Sequence, residues 1–446
     1  MSALPRIGEA LPPAARRLLA DMGLLDGFLA EDHTPCHGSC AVWGSSIPEV
    51  TDFLRDPDGH GWHLDRARFD SWLRFVAIAR GAMLLAPARL EAIRRGNESW
   101  HLQFATDRGR MDLSAAFAID AGGRAAPLAR RLGAARRATD RLVCGWVYGR
   151  ARSTGRGADL TTVAATADGW WYTAPLPGGR RMLAFLTDAD LPTARVAHHG
   201  IGLAAHAAET DEIGSILAEC TFAPDQAGFT AAHSSALNPC IGEGWIAAGD
   251  ASMTFDPLSS QGLLHALFTG LAAAEAADAF LSGDTTAPTR YQQIMDGIQH
   301  AYRKHLVLSY SSETRWPAAP FWQRRRSGFL TRTEPRYRCG LAGARLCFMC
   351  GCCSSRISSR SLGGITSQAG SSRRTPTALP SVKIRLIGTA SVSNSDSGEA
   401  GLSHFRRLTP VASPQVNLDK RIPPCEPARG SLARRVLPEY VNSAWE

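Results

Sequence analysis

Gly244-Trp245-Ile246-Ala247-Ala248-Gly249-Asp250 and, after a short loop, Asp256-Pro257-Leu258-Ser259-Ser260-Gln261-Gly262-Leu263 form the stretch on which the reading of this chain turns. The first half is an apolar run of strand length that ends on glycine and aspartate, the pattern of a buried strand entering a turn. The second half bends at Pro257 and opens a helix expected from near Ser260 to about Ser282. Leu263, Leu267, Gly270, Leu271, Ala274, Ala277 and Leu281 should share its core face. A helix start carries unsatisfied N–H groups and the positive end of the helix dipole. Asp250 can accept a hydrogen bond from a sugar-type hydroxyl, and Gly262 lets the backbone approach a flat ring. Together these are the parts of a site for a ligand with hydroxyls and a ring whose edge gathers negative charge.

Upstream, Pro12-Pro13 suits a helix start, and Leu18, Leu19 and Met22 make a short apolar face ending at Gly23. Asp65 can cap a second helix, in which Phe69, Trp72, Leu73, Val76 and Ala77 recur at helical spacing before Gly81. Residues 83–85 read as a short strand. From about 88 to 120 the pattern shifts to short strands, with Trp100 to Phe104 alternating and 115–120 a buried-strand candidate. Trp170-Trp171-Tyr172-Thr173 and Met182 to Thr187 flank Pro177-Gly178-Gly179-Arg180, a hairpin signal. Helical patterns fall near 209–220 and over 286–312.

The 446 residues, 44% hydrophobic, suffice for a large core in two or three structural units. The formal charge of +8 is uneven. Residues 336–446 hold 16 Lys+Arg and 6 Asp+Glu, leaving 33 and 35 for the rest, so the basic balance is no argument for nucleic-acid binding. Five of the 11 cysteines are scattered through the body without a disulfide framework, which fits a reducing compartment. No apolar run of about 18 or more residues and no leader-type start are visible, so a cytoplasmic protein off the membrane is expected. After about 335 periodicity gives way to Ser, Arg, Gly, Pro and Thr, and disorder or an aberrant, out-of-frame extension is expected there.

The 249–263 string resembles the second flavin motif of the FAD-dependent monooxygenase and flavin-dependent (tryptophan) halogenase superfamily. Gly8-Glu9-Ala10-Leu11-Pro12-Pro13, Ser39-Cys40-Ala41-Val42-Trp43-Gly44, Asp65-Arg66-Ala67-Arg68-Phe69-Asp70 and Ile119-Asp120-Ala121-Gly122-Gly123-Arg124 resemble further family segments in the family's order, over about residues 5–330. The resemblance implies a mixed α/β fold: a Rossmann-like FAD domain, incomplete here, interleaved with a substrate domain built on a large antiparallel sheet. The implied division is 1–35 as a remnant of the FAD domain, 36–60 as entry to the substrate sheet, 61–135 and 236–285 as FAD domain, 136–235 as substrate domain, 286–335 as a helical segment and 336–446 as a basic tail. FAD is the implied cofactor, held by Arg66, Gly249, Asp250, Pro257, Ser260, Gln261, Gly262 and Leu263. The implied chemistry is oxygenation of an aromatic substrate, or oxidation of halide, through a flavin C4a-hydroperoxide.

Two departures matter. A Gly-x-Gly-x-x-Gly turn should precede Gly8-Glu9, and none stands in the chain. A late start or a deletion would explain that, and a cofactor-deficient pseudoenzyme or binding protein is the matching alternative. The halogenase Trp-x-Trp-x-Ile-Pro signature is also missing, and Ser259 stands where the halogenase helix motif carries glutamate. An oxygenase is therefore favoured. The strings Gly8 to Pro13, Gly169-Trp170-Trp171-Tyr172 and Asp256 to Gly262 resemble flavin monooxygenases that hydroxylate tryptophan in a partner protein during quinone-cofactor maturation. The expected partner is thus an aromatic small molecule or a tryptophan-containing protein, with a flavin reductase or NAD(P)H as reductant.

Catalytic residues are not identified from sequence. Trp170, Trp171 and Tyr172 are expected to alternate between sheet core and surface. His63 and His265 are weighed as bases, with a structural role favoured. Arg124 is read as support for its own turn, and the run Arg324-Arg325-Arg326 as solvated. Cys347-Phe348-Met349-Cys350-Gly351-Cys352-Cys353 is too cramped for a zinc ribbon, and no metal is expected.

Overall fold

A computed structural model describes residues 7–151, 159–218 and 220–327. The tail from 336, its cysteine cluster and the last residues of the 286–335 segment lie outside the described residues.

The chain opens with β1 (Ala10–Leu11), α1 (Ala15–Asp21) and α2 (Leu25–Leu29). Leu18 and Leu19 of α1 are buried, and Gly23 takes the left-handed φ of +62° that closes the helix. Strands β2 (Thr34–Cys36), β3 (Gly38–Val42), β4 (Glu49–Asp52) and β5 (Gly61–His63) follow, then α3 (Arg66–Ala79). Asp65 caps α3 by accepting from the Arg68 N–H at 3.1 Å. Next come the antiparallel sheet of β6 (Ala88–Arg95), β7 (Trp100–Thr106) and β8 (Gly109–Ala115), then β9 (Ala118–Asp120), α4 (Pro127–Arg131) and β10 (Ala135–Ala138).

The large sheet draws on β11 (Leu142–Ala151), β12 (Thr161–Thr166), β13 (Gly169–Leu176), β14 (Arg180–Asp188) and, after α5 (Thr193–Ala197), α6 (Gly200–Ala208) and α7 (Asp211–Leu217), on β15 (Cys220–Ala231). The chain then runs through β16 (Ser235–Asn238), β17 (Ile241–Gly242), β18 (Trp245–Ala247) and β19 (Met253–Thr254) into α8 (Gly262–Leu281), α9 (Ala287–Ser312) and α10 (Pro320–Ser327).

Seven strands in the order β15-β11-β14-β13-β12-β3-β4 make the main sheet, antiparallel except where β12 pairs with β3. The early strands β3 and β4 thus join a sheet built mainly from residues 142–231. A second, small sheet, β17-β18-β9, holds the parallel β9–β18 pair, and its strand ends carry the candidate site. The mixed fold with a large, mainly antiparallel sheet agrees with the expectation.

Both faces of the main sheet are covered, and this changes the reading of its aromatics. Trp146, Tyr148, Trp170, Met182 and Ala184 face the core shared with α8 and α9. Val147, Trp171, Leu183 and Phe185 face the opposite way, onto Leu203, Ala207 and Ile213 of α6 and α7. Trp170 and Trp171 are therefore both fully buried, and neither is a surface residue. The pattern 2 alternation was legible, but the second layer of helices was only partly so. Close packing of that layer shows at Gly145 in β11, where an added Cβ would lie 2.0 Å from the Ala197 carbonyl oxygen of α5. Gly145→Ala should destabilise the fold by about 1–3 kcal/mol or more, read as a lowered urea midpoint. An unchanged midpoint would mean that α5 does not seat on β11 as described.

Three further expectations are corrected. Residues 83–85 form no strand; Met83 and Leu84 are exposed and pair with no described neighbour. The core row of α8 is Leu264, His265, Phe268, Thr269, Ala272, Ala273, Ala276 and Ala277, with Gly270, Ala274 and Leu281 exposed. The helix is apolar nearly all round, so its periodicity does not single out one face. It is also long and apolar enough to cross a membrane by length and composition, with mean hydropathy 1.2, but here it is packed against α9 and β18. Finally, Arg324 to Arg326 are not a solvated run. Arg325 is buried and pairs with Asp188 at 2.9 Å, Arg324 reaches Asp188 and Asp190, and Arg326 donates to the Glu313 carbonyl. The buried Asp188 at the end of β14 supplies the countercharge that sequence spacing could not reveal.

Candidate cofactor site

Strand β9 ends at Asp120, whose carboxylate accepts from the N–H groups of Gly122 (2.9 Å), Leu128 (2.9 Å) and Ala129 (2.8 Å), fixing the turn and the start of α4. Ala248 N–H donates to the Asp120 carbonyl at 2.9 Å, which aligns the end of β18 beside it. Gly249 then turns the chain with φ +57°, a conformation that suits glycine, and its N–H donates to the Thr269 hydroxyl of α8 at 2.8 Å. Asp250 follows, half-buried. Among the described residues its carboxyl has no hydrogen-bond partner, although Arg124, Arg136 and Arg66 all act on it. Burial pushes its pKa up, and the three arginines oppose that shift.

The second half of the motif forms a tight turn. Asp256 accepts from Leu258 N–H (2.9 Å), and Ser259 donates its hydroxyl to the Asp256 carbonyl (2.8 Å). Pro257 is exposed at the outside of this turn, and Ser260 closes it in the left-handed region with φ +52°. The helix therefore begins at Gly262, two residues later than expected. Gln261 is its buried N-cap residue, and no side chain caps the helix. Gly262 is exposed, with open space where a Cβ would stand, and Leu263 beside it is half-buried. The structure thus brings Gly249, Asp250 and the uncapped start of α8 into one region, with Pro257 on its outer side.

Arg66 joins from the first turn of α3. It donates to the carbonyls of Gly8 (2.8 Å) and Ile7 (3.1 Å) and pairs with Asp70 at 3.3 Å. It braces the turn that carries Glu9. Glu9 was not singled out from sequence as a functional group, yet it is buried, accepting from the Tyr148 hydroxyl at 2.6 Å and from Gly8 N–H at 3.0 Å. Burial raises its pKa, against the Tyr148 hydrogen bond and the Arg66 charge. Its only sequence signal was its place in the Gly8 to Pro13 string.

Asp256 is the other buried carboxyl. Tyr310 of α9 donates to it at 2.7 Å, and its own N–H donates to the Tyr302 hydroxyl at 2.8 Å. Burial, with Asp140 adding to it, pushes its pKa to about 7. A carboxyl raised in the fold contributes stability that is complete below its unfolded value, near 3.8, and that is lost as pH rises through about 7. Asp256→Asn should therefore lose less melting temperature than the parent between about pH 5 and pH 8. Parallel melting curves for the two would count against this assignment.

The two histidines weighed as bases are structural. His63 is fully buried against Thr161 (2.6 Å), and His265 is fully buried in the core row of α8 beside Phe255. Burial lowers both to about 3, so both are neutral at ordinary pH. Arg124 does not support its own turn; it reaches across to the His233 carbonyl at 2.8 Å.

The tryptophan halogenase profile matches residues 47–338. The chain belongs to the tryptophan halogenase family. This family match spans every strand of the main sheet except β3, together with β9, β18 and α8. LodB of Marinomonas mediterranea, assigned as an FAD-dependent oxidoreductase, is 28% identical over 322 residues, which are 72% of this chain and 86% of LodB. Among solved structures, the flavin-dependent halogenase CmlS superposes with a TM-score of 0.64 at 23% identity, over 75% of this chain and 62% of CmlS. The peptidyl tryptophan dihydroxylase QhpG superposes with a TM-score of 0.56 at 24% identity, over 71% of this chain and 69% of QhpG. These structural likenesses establish the fold; tryptophan halogenase family members and LodB place the chain among FAD-dependent oxidoreductases.

Proposed function

We propose that the chain is an FAD-dependent monooxygenase that hydroxylates an aromatic substrate, with tryptophan in a partner protein as the substrate class that fits best. The observation that carries the cofactor reading is Asp250, a half-buried carboxyl without a hydrogen-bond partner among the described residues, whose turn packs against the uncapped α8. Such a carboxyl keeps its acceptor capacity for a ligand's hydroxyl donors. The residues present fit FAD. Asp250 would accept from its sugar-type hydroxyls, the N–H groups at Gly262 and Leu263 would meet the ring edge, and the open space at Gly262 admits a flat ring. Bound, FAD supplies the redox chemistry with oxygen. The protein's own part is to orient the ring through α8, to exclude water through the covered sheet, and to hold Glu9 and Tyr148 on the substrate-sheet side.

Hydroxylation is favoured over halogenation by Ser259. A halogenase would use a glutamate here, whereas the Ser259 hydroxyl is buried and committed to the Asp256 carbonyl. The likeness to QhpG supports the peptidyl reading of the substrate, and a flavin reductase or NAD(P)H is the matching electron source. Supplying reduced FAD, isotopically labelled oxygen and bromide to the chain with a tryptophan-containing peptide separates the two chemistries. Labelled oxygen on the indole, independent of bromide, is the expected product. A brominated indole would replace this reading with halogenation.

A further inference from the structure

Two arginines, Arg124 and Arg136, act on the Asp250 carboxyl without forming an ion pair with it. Arg124, in the turn Gly123–Ala125, donates only to the His233 carbonyl (2.8 Å). Arg136, on β10, donates to the Ser235 hydroxyl (2.8 Å) and to the carbonyls of Asp250 (2.9 Å) and Ala251. Neither forms an ion pair among the described residues, and the buried Nε of Arg136 has no hydrogen-bond partner. Asp120, the other carboxylate that acts on Arg136, has both oxygens committed to backbone N–H groups. Arg130, exposed on α4, adds a third positive charge to the same surroundings.

Arg124 and Arg136 repel one another, and Asp250 offers the two only one carboxyl, which burial holds back from its charged form; a further anion joining them would offset the repulsion and the lost hydration. The guanidinium fork suits phosphate oxygens in particular. The turn Gly123–Ala125 packs on the turn Gly249–Ala251, so this positive pair lies directly beside the carboxyl assigned above to sugar hydroxyls. We infer that Arg124 and Arg136 form an anion subsite for the diphosphate of a dinucleotide, which makes the chain select FAD over flavins without that group. The inference rests on the FAD reading above. His233, lowered by burial and by both arginines, stays neutral beside the subsite and contributes no competing charge near pH 7.

The test titrates the full chain with FAD, riboflavin and inorganic pyrophosphate, following flavin fluorescence and melting temperature. Arg124→Gln is the informative variant because it gives up a single carbonyl contact. Arg136→Lys, which keeps the charge but loses the fork, is the second, since Arg136 also holds the Asp250 turn. Expected are an FAD affinity at least about ten-fold above that for riboflavin, a loss of about ten-fold for FAD alone in Arg124→Gln, and competition by pyrophosphate that disappears in that variant. Equal binding of FAD and riboflavin, unchanged by Arg124→Gln, would overturn the subsite while leaving flavin binding intact. If no flavin binds, but pyrophosphate raises the melting temperature of the parent and not of the variant, the subsite stands and the FAD reading falls. If pyrophosphate has no effect either, both fall.

Discussion

Asp250→Ala should weaken FAD binding by about 10- to 100-fold, the scale of losing hydrogen bonds to a charged acceptor. The same change should leave the fold intact or slightly more stable. The Asp250 carboxyl makes no hydrogen bond within the described residues, and burial already disfavours its charged form. Its worth lies in what a ligand brings to it. Asp250→Asn keeps an oxygen acceptor without the charge and should fall between parent and alanine. A flavin titration with each variant, alongside its melting curve, reads both halves. Unchanged affinity with lowered stability would make Asp250 a structural turn residue.

Arg325→Ala should destabilise the fold by about 3–5 kcal/mol, because it leaves Asp188 buried and stripped of its closest countercharge. Arg325 is 5% exposed and Asp188 2%; their contacts are 2.9 and 3.2 Å, and the guanidinium also lies 3.5 Å from the Phe321 ring centroid. Arg324 also reaches Asp188, at 3.0 Å, but from a more exposed position. The pair clamps α10 against the end of β14, next to Tyr310, which in turn holds Asp256 before the α8 turn. Loss of the clamp should therefore also loosen the cofactor segment. Replacing both partners, Asp188→Asn with Arg325→Met, should recover much of the stability lost in the single variant, since no unpaired charge remains. Urea midpoints of the three proteins decide this, and a single variant within about 1 kcal/mol of the parent would show that solvent reaches Asp188.

Much of the architecture was legible because its signals are local. Asp65 capping α3, the Pro177-Gly178-Gly179 turn between β13 and β14, and α9 over nearly its full expected length all follow from caps, turn residues and long periodic runs. What was not legible is set by tertiary contacts. The face of α8 depends on which neighbours cover an almost uniformly apolar helix. The burial of Arg325 depends on Asp188, 137 positions away. In the site, residues 249–263 could be read because strand end, turn and helix start are contiguous. Arg124 and Arg136 could not, because their convergence on Asp250 comes from the packing of β9, β10 and β16 around the end of β18. Glu9 was hidden likewise: only the fold brings it against Tyr148, 139 positions later.

The most direct test of the account is a crystal structure of the full chain grown with FAD. The account predicts a sugar-chain hydroxyl of FAD within hydrogen-bond distance of the Asp250 carboxyl and the ring edge against the N–H groups that open α8 at Gly262 and Leu263. Flavin bound elsewhere, or an Asp250 carboxyl that closes onto Arg124 or Arg136 and leaves no room for it, would contradict the account.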